Sequence, residues 1–167
     1  AGFAFAGTLA GLGQGSGGDE IARALAYVVT ADGVGTADGT AFTGIENLTG
    51  NVQANTFTLT AGAIGNLSGL GGDDTFDIIA GTFESINGGA HAVADTVSYT
   101  NAVDLDVAAN SLSNVEVVNA NAAAGDTLRG ATEYLFRSAM GVEVDGVTAT
   151  QYNGFDALIG TAGDDSF

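Results

Sequence analysis

Apolar and polar residues alternate in short runs along this chain, and glycine-rich turns separate the runs. Val103-Asp104-Leu105-Asp106-Val107, Phe57-Thr58-Leu59 and Val142-Glu143-Val144-Asp145 all follow a period of two. In an extended chain that period sends one set of side chains to a core and the other to solvent. Short strands are therefore predicted throughout. One stretch departs from the pattern: Glu20 to Ala26 fits either a one- to two-turn helical cap or a strand.

The turns repeat. Leu67-Ser68-Gly69-Leu70-Gly71-Gly72-Asp73-Asp74-Thr75-Phe76 has a looser copy upstream, Leu48 to Phe57, and Ile45-x-Asn47-Leu48 matches Ile64-x-Asn66-Leu67. Anchored on the Asp or Asn before each strand, the turns fall at Asp19, Asn55, Asp74, Asp95, Asp126 and Asp165, so the gaps are 36, 19, 21, 31 and 39. These are near one or two units of roughly 18–20 residues. A longer cassette lies over the short one: Phe42 to Leu48, Leu112 to Val118 and Gln151 to Leu158 each place an acid after an apolar residue. Glu46, Glu116 and Asp156 then precede the turns at Asn55, Asp126 and Asp165 by nine or ten positions.

One unit per coil makes the expected fold all-β, a right-handed parallel β-solenoid with coils of about 18–20 residues. The whole chain, 1–167, is expected to be a single solenoid domain, with 1–26 as an atypical capping segment. Eight or nine coils stacked about 4.8 Å apart would make a rod about 40 Å long. An antiparallel sandwich, which also shows regularly spaced short strands, is the competing architecture. Phe57, Phe76, Phe155 and Phe167 recur at one phase of the repeat, as a core ladder of rings would require.

Composition narrows the partners. The 167 residues include 20 Asp and Glu against 3 Arg and no Lys, a net charge of −17. Such a surface repels nucleic acid and anionic membrane and attracts divalent cations. No apolar run approaches the roughly 20 residues that span a bilayer, so no membrane insertion is expected. Without cysteine, disulfides and most zinc sites leave the account. The opening Ala1 to Gly7 has neither an initiating Met nor a basic region and does not read as a signal peptide, and the final Phe167 follows a turn that should feed a strand. A segment of a longer chain is expected.

Gly160-Thr161-Ala162-Gly163-Asp164-Asp165-Ser166-Phe167, Gly69 to Phe76 and, more weakly, Gly15 to Ile21 resemble the RTX or haemolysin-type calcium-binding repeat, Gly-Gly-x-Gly-x-Asp-x-apolar-x. The larger cassette resembles degenerate repeats of very large secreted bacterial surface proteins and adhesins. The resemblance implies a parallel β-roll or β-helix, export to the medium or the cell surface, and calcium held between successive glycine–aspartate turns. Here such turns come about once per coil, Asn51 to Asn55 has lost its glycines, and the turns at Asp95 and Asp126 carry additional residues, His91 to Ala94 and Ala122 to Ala124. One to three calcium ions are implied instead of a full ladder, at Asp73, Asp74, Asp164 and Asp165. Ordinary turn chemistry, in which Asp hydrogen-bonds its own backbone, explains the same residues without an ion.

The functional expectation is a structural or adhesive extracellular protein and not an enzyme: a repeat module of a large adhesin, or a subunit of an extracellular filament stacked end to end. Its partners would be further copies of itself, a surface glycan or a cell-surface receptor. The alternative is a carbohydrate-active β-helix enzyme on a neutral glycan, because a chain without Lys and with three scattered Arg is poorly equipped to hold a polyanion. Asp104/Asp106 and Glu143/Asp145 are i, i+2 acid pairs that read as solvated strand faces before they read as catalytic. His91 lacks the Cys or second His of a zinc site and reads as a loop residue. Arg129 and Arg137 flank Gly130 and Glu133 as a rare cationic spot, which is expected to pair with Glu133 or to dock on an acidic surface of another subunit.

Overall fold

The computed structural model describes residues 8–11, 18–107, 111–121, 125–131, 134–137, 141–144 and 147–164, with the backbone alone described between 134 and 149. Nineteen strands and no helix occur among these residues. The first seven are β1 (Thr8–Ala10), β2 (Glu20–Ala22), β3 (Ala26–Ala31), β4 (Val34–Ala37), β5 (Thr40–Thr43), β6 (Asn47–Thr49) and β7 (Thr56–Leu59). Six follow: β8 (Ala63–Gly71), β9 (Thr75–Ile78), β10 (Thr82–Ala90), β11 (Thr96–Tyr99), β12 (Asp104–Asp106) and β13 (Ser111–Ser113). The last six are β14 (Val117–Asn119), β15 (Thr127–Arg129), β16 (Tyr134–Arg137), β17 (Gly141–Val144), β18 (Val147–Asn153) and β19 (Ala157–Ile159).

They form three sheets, ordered β1-β5-β4-β3-β7-β9-β11-β14-β18-β17-β16, β13-β10-β8-β6-β2 and β12-β15-β19. The two smaller sheets are wholly parallel. The large sheet is mixed: a parallel run from β3 through β18 is flanked by antiparallel meanders, β3-β4-β5 and β16-β17-β18. Consecutive strands of the parallel run are far apart in sequence, which an antiparallel sandwich of hairpins does not produce.

Register explains the repeat. Phe57 lies opposite Phe76, Phe76 opposite Val97, and Val97 opposite Val118, so the steps are 19, 21 and 21. In the second sheet Leu48, Leu67 and Ile86 are aligned in steps of 19. The sequence period is thus the separation between neighbours in a parallel ladder. Where the step grows to 30 (Tyr27 to Phe57) or 34 (Val118 to Tyr152), the intervening chain contains the antiparallel strands β4 and β5, or β16 and β17. Along this ladder the longer steps are therefore insertions of a two-strand excursion.

The core follows these columns. Tyr27, Phe57 and Phe76 are fully buried and stack face to face, with centroids 4.9 and 4.8 Å apart and planes within 10°. In-register parallel pairing forces this, because identical positions of adjacent strands lie about 4.8 Å apart. The Tyr27 hydroxyl donates to the Thr49 carbonyl and accepts the Ala24 N–H, which satisfies the one polar atom in the stack. Burial pushes its pKa up to about 12. The ladder of rings is shorter than the sequence suggests: Tyr152, not Phe155, occupies the column, Phe155 meets it edge-on at 6.3 Å, and Phe167 lies outside the described residues.

Of the two readings for Glu20 to Ala26, the strand is the one adopted. Glu20–Ala22 forms β2 at the edge of the second sheet, beside β6. Arg23 then takes a left-handed φ of 76°, which breaks the chain direction before β3 and ends any helical run.

Candidate functional site

The residues that open successive strands of the parallel run are Asn55, Asp74, Asp95 and Glu116, and each of the last three uses its side chain to hold the one before it. Asn55 N–H donates to Asp74 Oδ1 at 2.7 Å, Asp74 N–H to Asp95 Oδ1 at 2.7 Å, and Asp95 N–H to Glu116 Oε2 at 2.8 Å. The carbonyls of Asn55, Asp74 and Asp95 meanwhile accept from Thr75, Thr96 and Val117. The carboxylates thus continue the backbone ladder one step into the turn, where these N–H groups would otherwise be buried without an acceptor. The third sheet repeats the device: Val103 N–H donates to Asp126 Oδ1 at 2.7 Å, and Asp126 N–H to Asp156 Oδ2 at 3.1 Å.

The three cassette acids share one further geometry. Glu46, Glu116 and Asp156 accept the N–H of Asp19, Asp95 and Asp126, and the carbonyls of those aspartates accept the N–H groups of the acid and of the residue after it. Sequence spacing links each acid to the turn that follows it; the bonded partner is the turn one rung earlier.

Asp74, Asp95 and Asp126 are buried, and the second oxygen of each, Oδ2, has no hydrogen-bond partner. Room for the Asp74 and Asp95 oxygens comes from glycine. A Cβ at Gly69 would lie 2.0 Å from Asp74 Oδ2, and one at Gly88 would lie 2.5 Å from Asp95 Oδ2. Burial raises the Asp74 pKa to about 6, opposed by the Asn55 N–H and assisted by the charges of Asp95 and Asp73. Burial likewise raises that of Asp95.

Of the residues singled out for metal from the sequence, Asp73 and Asp74 face different partners. Asp73 is half-buried, and its Oδ1 accepts the N–H groups of Ala92 and Val93 at 2.8 and 2.7 Å, so it fastens the loop of the next rung. The Val93 and Ala92 donors hold its carboxyl below the usual range. Asp164 stands exposed in the turn after β19, and Asp165 lies outside the described residues.

The loop that Asp73 fastens carries His91. Its Nδ1 is 3.1 Å from Glu116 Oε2 and 3.8 Å from Asp95 Oδ2, and the ligand atoms of the three residues all lie within 4.8 Å of one another. Among the described residues this is the one group of three or more metal-capable side chains so converged. Reading His91 as a solitary loop residue misses it, because Glu116 arrives from the start of β14, a full rung further along the chain. The usable signal is the repeat step, which sets Glu116 beside Asp95.

The acid pair Asp104/Asp106 is closed by Arg129, whose Nε is 2.8 Å from Asp104 Oδ1 and whose Nη1 is 2.5 Å from Asp106 Oδ2. Register places Arg129 directly opposite Asp106, so the pair is a fork for one guanidinium. The expected alternative partner, Glu133, is outside the described residues. A groove lined by Asp32, Ile45, Glu46, Asn66, Phe83 and Glu84 offers one ring, Phe83. Two of its acids already accept backbone N–H groups, Asp32 from Ala63 and Glu46 from Asp19. No helix of the described residues is long and apolar enough to cross a membrane. No family model, no curated protein and no solved structure matches the chain.

Proposed function

We propose that this chain is a structural or adhesive module of the bacterial exterior: a right-handed parallel β-solenoid that serves as a repeat of a large adhesin or as a subunit of a fibre stacked end to end. The observation that carries this reading is the in-register column Tyr27, Phe57, Phe76, Val97, Val118, Tyr152 across six parallel strands. A ladder of that kind conveys load and distance along one axis, and each rung contacts mainly its neighbours. Among the described residues the ladders end at β2 and β13 in one sheet and at β12 and β19 in another. Pairing such edges with another copy continues the sheet by main-chain hydrogen bonds alone. The charge of −17 keeps the lateral surfaces apart and so favours growth along the axis.

Negative-stain microscopy of concentrated protein is the test. Filaments are expected for a fibre subunit and short isolated rods for an adhesin module; compact particles with no long axis contradict both. Calcium at the turns of Asp73, Asp74, Asp164 and Asp165 belongs to the proposal as a brace between rungs. A melting temperature unmoved when calcium is added to metal-stripped protein removes it.

A further inference from the structure

We propose that His91, Asp95 and Glu116 form a binding site for one divalent ion of zinc-like character, a site separate from the calcium turns. The ligand spacing fits. Ligands about 2.0–2.2 Å from a tetrahedral zinc are about 3.3 Å apart, and His91 Nδ1 stands 3.1 Å from Glu116 Oε2 and 3.8 Å from Asp95 Oδ2.

A second, independent observation points to a ligand. Asp95 is fully buried, and its Oδ2 faces His91 with no hydrogen bond to it from any donor. A bare carboxylate oxygen out of water is costly unless a donor or a cation meets it. Asp74 and Asp126 have similar oxygens but belong to no such convergent group among the described residues.

The surroundings are arranged as metal sites usually are, with the ligands held by outer contacts. Asp95 is oriented through its other oxygen by Asp74 N–H, Glu116 by Asp95 N–H, and the His91 loop by Asp73, which bonds Ala92 and Val93. Gly88 leaves the space that Asp95 Oδ2 occupies. The His91 side chain is 32% exposed, so an ion can enter and a water can complete four-coordination.

The donor set selects the class of ion. Calcium takes six to eight oxygens and has little use for imidazole, whereas one imidazole nitrogen with two carboxylates suits zinc and its first-row neighbours.

Isothermal titration of the metal-stripped full chain with zinc chloride and, separately, calcium chloride tests the site, with cobalt(II) absorption reporting four-coordination. One zinc per chain is expected, with affinity reduced by about a hundredfold or more in His91→Ala and in Glu116→Gln and unchanged in Glu84→Gln, an exposed acid outside the cluster. His91→Ala removes a loop side chain, so circular dichroism should show it folded. Absence of zinc binding, zinc binding undiminished in folded His91→Ala, or a calcium affinity equal to that for zinc and equally dependent on His91 would overturn the assignment.

Discussion

Glu116 and Asp95 hold each other in both directions: the Glu116 side chain accepts the Asp95 N–H at 2.8 Å, and the Asp95 carbonyl accepts the Glu116 N–H at 3.0 Å. Glu46 and Asp19 do the same at 2.7 and 3.0 Å, and the bracket is what the repeated acid of the cassette is for.

Removing that bracket has a defined cost. Glu46→Ala leaves the Asp19 N–H without its acceptor and is expected to destabilise the protein by about 1 kcal/mol, whereas Glu46→Gln keeps an acceptor oxygen and loses less. Urea denaturation of the two variants measures the difference.

Neighbouring residues of the Leu67–Phe76 turn should respond in opposite senses. Gly69→Ala drives a Cβ to 2.0 Å from Asp74 Oδ2 and 2.5 Å from the Gly88 carbonyl, with an expected loss of about 3 kcal/mol. Leu70 has a left-handed φ of 74° and is half exposed, and its register partner is Gly89, at φ 108°. Leu70→Gly relieves that strain and is expected to stabilise by up to about 1 kcal/mol. Thermal melts of the two variants should therefore move to opposite sides of the parent.

Acid should stabilise this protein over part of its range. Folding raises the Asp74 pKa from 3.8 to about 6, so the native state binds that proton more tightly than the unfolded chain does. The contribution is present below pH 3.8 and is lost as pH rises toward and through 6. The melting temperature in metal-free buffer is expected to rise between pH 7 and pH 5. In Asp74→Asn, which copies the Asn55 of the preceding rung, the rise should be smaller, leaving the part due to the raised pKa of Asp95. A parent protein that melts lower at pH 5 than at pH 7 would contradict the burial of these carboxylates.

Phe57 lies between two rings, so Phe57→Ala should cost about 3–5 kcal/mol. Phe57→Leu, which keeps most of the volume but loses two stacks, should cost about 1–2 kcal/mol. Chemical denaturation monitored by circular dichroism checks both.

These expectations show where the sequence is legible. Alternation and the Asp-Thr-Phe phase reveal the strands and the parallel step, because a parallel ladder copies its sequence period into space: Phe57 and Phe76 are neighbours since they stand one period apart. The excursions β4–β5 and β16–β17 read as slippage, since a hairpin that pairs within itself leaves no mark on the period except its length. The partner of each cassette acid is hidden for a related reason. Glu116 bonds to Asp95, on the rung before it, and chain order favours looking ahead to Asp126. His91 reads as unpartnered because its partners are fixed by register and not by proximity in sequence. Arg129 stands out as a rare cation, but its choice of Asp104 and Asp106 needs the β12–β15 alignment.

The parallel step underlies both the fold and the proposed role, and the absence of native cysteine makes it directly measurable. Asn66 and Ser85 are register partners joined by a 2.6 Å hydrogen bond, and Asn87 lies two positions further along the same strand. Cysteines at Asn66 and Ser85 fall within the Cα separation of about 4.4–6.8 Å that a disulfide requires, and cysteines at Asn66 and Asn87 fall beyond it. Mild oxidation followed by mass spectrometry should show the Asn66→Cys/Ser85→Cys crosslink forming readily and the Asn66→Cys/Asn87→Cys crosslink forming little. Equal yields, or a preference for the second pair, would contradict the parallel ladder.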